Sequence, residues 1–319
     1  MKIVILSEEI GVQDSPDVSD TLTQVRFVQE QLISLGHQAI SMTFHTDLAR
    51  TIREIQTIRP DVIFNLVESV AGFGRLSVIA TYVYQALGIP FTGNRDLAHL
   101  LSADKVLAKR FYQTHGILTP AGFTLNDMPE EISLGVPYIL KAAGEHASIG
   151  LSSASVITPA SRDELTEALT TVGRKHDLTF LAEEYIDGRE FNVGFLGRRM
   201  LPVVEMFFTD SFKCPRILTY EAKWNDNTAA AQNSVRKTDI DPRLTQKMET
   251  FCTHTADVLD IHGYTRFDFR LDAAEENFYL IDLNTNPCLS PDAGFVAMAR
   301  LAGLEPRDIV ERILHDIVV

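Results

Sequence analysis

Two short apolar runs that carry oxygen side chains at alternate positions constrain this chain more than any other feature. Arg266-Phe267-Asp268-Phe269-Arg270 is followed, across a short acidic segment, by Phe278-Tyr279-Leu280-Ile281-Asp282-Leu283-Asn284-Thr285-Asn286-Pro287. Both runs are of strand type and flank residues 272–277, so the pair reads as a β-hairpin. Side chains two apart on a strand share a face, which places Asp282 and Asn284 together and lets Asp268 join them from the first strand. Mg²⁺ takes few protein oxygens and completes its shell with phosphate and water. A solvated acidic hairpin accounts for the charges but not for an Asn two residues after Asp282 inside an apolar strand. The pattern therefore predicts a metal site made of Asp268, Asp282 and Asn284.

At 319 residues the chain exceeds a single small core, and two or three domains are expected. A hydrophobic content of 45% and a charged content of 23% describe ordinary globular material. The net charge of −14 and the lack of clustered Lys and Arg argue against a nucleic-acid surface. No apolar stretch is long enough to span a bilayer, and the opening apolar run is too short for a signal peptide, so a cytoplasmic protein without a membrane partner is expected. Cys214, Cys252 and Cys288 are widely spaced and offer neither a disulfide framework nor a zinc motif.

Strand and helix patterns alternate through the first third. Residues 2–6, 38–44, 61–67 and 90–93 read as strands, and 20–35, 48–59 and 77–87 as helices, the first capped by Ser19 or Asp20. Such alternation implies an α/β class with a doubly wound parallel sheet, whose ligands lie beyond the strand ends near Ser7, Glu8, Glu9 and residues 65–68. No G-x-G-x-x-G follows the first strand, so the dinucleotide fingerprint is absent. Residues 103–115 read as one basic amphipathic helix. Strands, loops and short helices then extend to about residue 187. A long helix at 242–259, the hairpin, and helices at 292–302 and 307–318 complete an α+β C-terminal part. The expected domains are 1–98, 99–184 and 185–319.

Tyr138-Ile139-Leu140-Lys141 ends a strand and opens a loop of small residues, Ala142-Ala143-Gly144-Glu145-His146-Ala147-Ser148-Ile149-Gly150. Backbone N–H groups in such a loop can wrap phosphate oxygens, with a Lys at its edge to neutralise charge. Glu183-Glu184-Tyr185-Ile186 lies at a strand end, followed by a turn and Glu190. Backbone groups there can read an adenine edge, and the later carboxylate can take ribose hydroxyls.

Lys105, Lys141, Glu183 to Glu190, Arg266-x-Asp268 and Asp282-x-Asn284-Thr-Asn-Pro follow the order and spacing of ATP-grasp ligases, which the chain resembles over nearly its whole length. More narrowly it resembles the D-alanine–D-alanine ligase group, through Gly88-Ile89-Pro90-Phe91-Thr92-Gly93, Asp104-Lys105 with Lys109, and Tyr220-Glu221-Ala222-Lys223-Trp224. The resemblance implies three domains with ATP between the second and third. It places Lys105 and Lys141, with Ser148 in the loop, on the phosphates. Glu183, Glu184, Tyr185 and Ile186 fall at adenine, Glu190 at ribose and Lys223 at the γ-phosphate. Asp268, Asp282 and Asn284 hold two Mg²⁺ ions, in a place Mn²⁺ can also fill. The implied reaction forms an acylphosphate from a carboxylate, which an amine then attacks, with Arg266 as donor to the tetrahedral oxyanion. Residues 223–235 are the implied lid. By analogy alone, the assembly is a homodimer.

Departures from the group gather where its amino acids bind. The Gly-Gly turn and Ser-x-Glu run give way to Ser7-Glu8-Glu9, the His-Gly after the third strand to Val67-Glu68, the lid Tyr to Trp224, and Pro-Gly after the metal Asn to Pro287-Cys288. Rewritten substrate contacts imply substrates other than two D-alanines. Glu8, Glu9 and Glu68, with Trp224 and Cys288, are the candidate substrate residues, and their acidity suits a cationic group. A D-alanine–D-alanine ligase with a divergent site and a non-catalytic ATP-binding protein stay open as alternatives.

Overall fold

A computed structural model of the protein describes residues 1–9, 16–145, 150–208, 215–217 and 234–318. In the first third, β1 (Lys2–Glu8), α1 (Pro16–Ser34), β2 (Gln38–Phe44), α2 (Leu48–Ile58), β3 (Val62–Leu66) and α3 (Val78–Ala86) alternate as the patterning predicts. The strands are parallel in the order β2-β1-β3. Ile3 and Ile5 pack on one face with α1, while Val4 and Leu6 pack on the other with Ile55, Val83 and Tyr84. A parallel sheet covered on both faces needs such continuously apolar strands. The expected strand at 90–93 reduces to isolated bridges from Phe91 to Ile63 and to Val318. Helix α1 begins at Pro16, ahead of the expected Ser19 or Asp20 cap, because proline suits the first helical turn.

A helix not expected from the patterning, α4 (Asp96–Ala103), precedes α5 (Lys105–Thr114), which is the helix expected over 103–115. Asp104 separates them in an extended conformation, and its carboxylate accepts from Val106 N and Leu107 N at 3.0 Å each, an N-cap. A four-stranded antiparallel sheet follows: β4 (Gly122–Phe123), β5 (Tyr138–Ala142), β6 (Val156–Ile157) and β7 (Phe180–Glu184), in the order β4-β7-β5-β6. It packs on α6 (Arg162–His176), longer than the short helices expected in this region.

The third sheet comprises β8 (Gly188–Leu196), β9 (Arg199–Met200), β10 (Val204–Phe208), β11 (Ser234–Lys237), β12 (Tyr264–Asp272) and β13 (Phe278–Asn284). Its order is β11-β10-β8-β12-β13, with β9 beside β8. Gly188 opens β8 so close to β12 that a Cβ would lie 1.9 Å from the Leu271 carbonyl oxygen. Helix α7 (Pro242–Val258) packs beneath this sheet, and α8 (Gly294–Leu301) and α9 (Pro306–His315) return to the first sheet. One apolar cluster therefore joins Ile3, Ile5 and Phe64 to Tyr264, Phe295, Ile309 and Ile313.

A buried polar knot fastens the first third to the end of β13. Asn94 Nδ2 donates to Tyr264 O at 3.1 Å, Thr265 Oγ1 at 2.9 Å and Thr285 O at 3.0 Å, and Asn94 Oδ1 accepts from His262 N at 2.9 Å. His99 bridges Ser77 Oγ and Thr285 Oγ1 at 3.1 Å each, and burial pushes its imidazole down to about 4, so it stays neutral. Asn94→Ala strands several of these groups without partners, and each orphan costs about 1–3 kcal/mol. Denaturant unfolding should therefore show a loss of about 3 kcal/mol or more; an unchanged midpoint and slope would remove the knot as a stabilising element.

Candidate active site

Alternation and one bulge build the working face of the hairpin. Phe267, Phe269 and Leu271 point into the core, so Arg266, Asp268 and Arg270 stand on the opposite face of β12. Across the strand pair, Arg266 faces Asn284 and Asp268 faces Asp282, whereas Phe269 already faces Leu280. Ile281 is thus an extra residue in β13. The bulge lets Leu280 and Leu283 both enter the core while Asp282 and Asn284 turn to the Asp268 side. The structure brings the three expected metal ligands onto one face of adjacent strands. Among the described residues no three His, Cys, Asp or Glu side chains converge as a metal cluster. This donor set is two carboxylates and an amide, hard oxygens that suit Mg²⁺ with phosphate completing the shell.

Asp268 is already engaged. Its Oδ1 accepts from Arg266 Nε and from Asn192 Nδ2, and its Oδ2 accepts from Arg266 Nη2, all at 2.8 Å. Asn192, on β8 directly opposite Asp268, was not identified from sequence because strand register across separate segments is invisible there. Asn284 Oδ1 accepts from Asn286 N at 2.9 Å, and Asn286 Oδ1 accepts from Tyr264 Oη at 2.6 Å. Those contacts fix the chain leaving β13 just past the ligands.

The lysines approach from the other side. Lys105 Nζ donates to Glu145 O at 2.6 Å and lies 3.9 Å from Asp282 Oδ1. Lys141 Nζ is 2.5 Å from Glu183 Oε1 and 3.5 Å from Ile281 O. Glu183, expected at adenine, is 1% exposed and turned inward, with Lys109 Nζ 2.5 Å from its Oε2. Burial works to raise the Glu183 carboxyl, but the two lysines overcome it and hold the group below its usual range. Glu184, Tyr185 and Ile186 leave the strand half-buried, with the Tyr185 ring 5.4 Å from the Arg270 guanidinium carbon. Glu190 Oε2 pairs with Arg270 Nη2 at 2.8 Å, so the expected ribose carboxylate is held by the cross-strand arginine. A cavity of about 20 Å³ lies among Lys105, Lys109, Tyr112, Glu183 and Asp282, room for about one water.

The candidate substrate residues divide. Glu8 Oε1 accepts from Thr21 Oγ1 at 2.7 Å and its Oε2 from Glu68 N at 3.1 Å. Glu68 Oε1 accepts from Gln24 Nε2 at 3.1 Å, and Gln24 Oε1 accepts from Leu289 N at 2.8 Å. Cys288 Sγ donates to Asp20 Oδ2 at 3.0 Å, and Ser290 Oγ donates to Asp20 Oδ1 at 2.5 Å. Glu8, Glu68 and Cys288 thus meet, with Asp20 and Ser290 joining them; Glu9 turns away to His45 and Thr46 at 3.4–3.5 Å. The sequence offers Asp20 both as a helix cap and as the end of an acidic segment with Asp14 and Asp17. Burial, then the Glu8 carboxylate, push the Glu68 carboxyl up to about 8, with Gln24 and the Arg266 guanidinium acting the other way. Burial, then the Glu68 and Asp20 carboxyls, push the Cys288 thiol up, so it is a hydrogen-bond donor and not a thiolate. Ser148, Lys223 and Trp224, with His146, lie outside the described residues.

The Glu68 shift has a stability consequence. Between the usual 4.5 and about 8, the folded protein holds a proton that the unfolded chain has released. Stability therefore falls as pH rises across that window, and the favourable contribution is gone above it. Glu68→Gln should flatten this decline in melting temperature between pH 5 and 8.5. Parallel curves for variant and wild type would show that the carboxyl titrates normally.

A family model described as the D-ala D-ala ligase C-terminus matches residues 115–315. A D-alanine–D-alanine ligase from Carboxydothermus hydrogenoformans is 27% identical over 296 residues, covering 89% of this chain and 88% of its own length. The uncharacterized protein y4sG of Sinorhizobium fredii is 30% identical over 288 residues, 88% of this chain and 82% of its own. The crystal structure of D-alanine–D-alanine ligase from Bacillus anthracis complexed with ATP shares the fold at a TM-score of 0.75. That match covers 99% of this chain and 97% of the other at 18% identity. No helix among the described residues is long and apolar enough to cross a membrane.

Proposed function

The chain belongs to the D-alanine–D-alanine ligase family of the ATP-grasp superfamily, ATP-dependent ligases that form C–N bonds, and on that premise we propose that it joins a small carboxylate to an amine other than a second D-alanine. One observation carries the chemistry: Asp268, Asp282 and Asn284 share a face, with Lys105 3.9 Å from Asp282 and Arg266 locked onto Asp268. Mg²⁺ held by these oxygens would neutralise phosphate charge. Lys105 and Lys141 bind the phosphates, offsetting repulsion between an anionic carboxylate and an anionic triphosphate. The carboxylate attacks the γ-phosphate, ADP leaves, and the amine attacks the acyl carbon to expel phosphate. The Arg266 guanidinium stabilises the oxyanion formed in that last step.

The grouping of Glu8, Asp20 and Glu68 supports the substrate part of the reading. Three carboxyls gathered at one place suit an acceptor that carries an ammonium or guanidinium besides its reacting nitrogen. Phosphate release should be measured with a panel of amino acids and amines, one arm holding D-alanine alone. D-alanine performing as well as the best pair overturns the substrate reading. No turnover in any arm despite tight ATP binding overturns the ligase reading and favours a protein that only binds nucleotide.

A further inference from the structure

Buried beneath α5, a chain of charges runs from Lys109 through Glu183 to Lys141. Resting on the nucleotide reading above, we propose that Lys109 is a positioning residue for ATP: it neutralises Glu183 and so leaves the charge of Lys141 available to phosphate. The geometry separates the two lysines by task. Lys109 is 5% exposed, donates to Thr119 Oγ1 at 3.0 Å and Pro120 O at 2.8 Å, and is ion-paired with Glu183 Oε2 at 2.5 Å. Buried and ion-paired in this way, Lys109 is closed to a ligand. Lys141 shares the same carboxylate at 2.5 Å, but among the described residues has beyond it only the Ile281 carbonyl at 3.5 Å. It also stands on β5, which runs directly into the small-residue loop.

The trio therefore sums to one positive charge, delivered at the lysine nearer the loop. Asp282, which faces the same cavity, is set against Lys105 at 3.9 Å. Without Lys109 the trio becomes a closed Glu183–Lys141 pair of zero net charge. In a buried setting such a pair holds tightly, and its lysine offers an incoming anion little. A purely structural Lys109, pinning α5 to β7 and the Thr119–Pro120 turn, would change stability but leave nucleotide affinity alone.

Calorimetric titration of the full-length protein with a non-hydrolysable ATP analogue and Mg²⁺ decides between these. Lys109→Met should weaken binding about tenfold, and Lys109→Arg should hold it within about threefold. Lys109→Met combined with Glu183→Gln should recover most of the lost affinity, because the charge that captures Lys141 is gone; this pair forms a double-mutant cycle with Glu183→Gln alone. Wild-type affinity in Lys109→Met, or a double variant as weak as the single, overturns the proposal. If Lys109→Met does not fold, Glu183→Gln and the double variant still decide: equal affinity supports charge compensation, and a further loss in the double overturns it. Wild-type protein that fails to bind the analogue overturns the nucleotide reading itself, a result separate from binding that ignores Lys109.

Discussion

Asp282→Ala is expected to eliminate Mg²⁺-dependent nucleotide binding and to cut turnover roughly a thousandfold. The size follows from what remains. Asp268 has committed both oxygens to Arg266 and Asn192, so it cannot replace the lost carboxylate, and Asn284 is a neutral amide. Phosphoryl transfer draws its rate from positioning and charge neutralisation, so weaker cation binding appears directly in the chemical step. Lys105 also loses an acid 3.9 Å away. Asp282→Asn separates shape from charge and should fall nearly as far. Titrating the ATP analogue with and without Mg²⁺ checks both variants; an affinity that still depends on Mg²⁺ as in wild type would place the cation elsewhere.

Removing Arg266 should produce the second largest effect, and in two measurements at once. Arg266→Met takes away the bidentate partner of Asp268 and leaves that carboxylate, 9% exposed, with Asn192 as its one hydrogen-bond partner among the described residues. Breaking one side of a buried pair costs about 3–5 kcal/mol of stability. Loss of an oxyanion donor costs a further factor of roughly 10²–10³ in turnover. Adding Asp268→Asn should restore most of the stability and none of the activity, since the stranded charge is gone while the donor is still missing. A single variant that turns over normally would remove Arg266 from the chemistry, and a double variant that stays unstable would show that the pair is not what holds this corner together.

The strongly periodic parts of the chain were legible in the sequence. The βα alternation, the second strand at 38–44 and the hairpin follow from spacing alone, and the side chains of Asp268, Asp282 and Asn284 fall on one face as period-two patterning requires. Helix α5 was legible, with Asp104 as its N-cap, whereas α4 just before it was not foreseen. Glu183 illustrates the opposite limit. All of Phe180, Leu181, Ala182 and Glu183 are buried, so β7 is covered on both faces and alternation carries no information about which way the carboxylate turns. Asn192 depended on register between β8 and β12, and the Asp20–Cys288 contact joins residues at opposite ends of the chain. Neither is encoded at short range.

The shared apolar cluster has a consequence for biosynthesis. The sheet begun by Lys2 is sealed on one side by Ile309, Ile313 and Leu314, and Phe91 takes its last backbone partner from Val318. A nascent chain emerging from the ribosome therefore carries an Ile3, Ile5 and Phe64 surface covered only in part, by α1, until residues 306–318 arrive, about 240 residues of translation after Phe64. Chaperone demand should accordingly concentrate on the earliest-made third of the molecule, although its local patterning is the clearest.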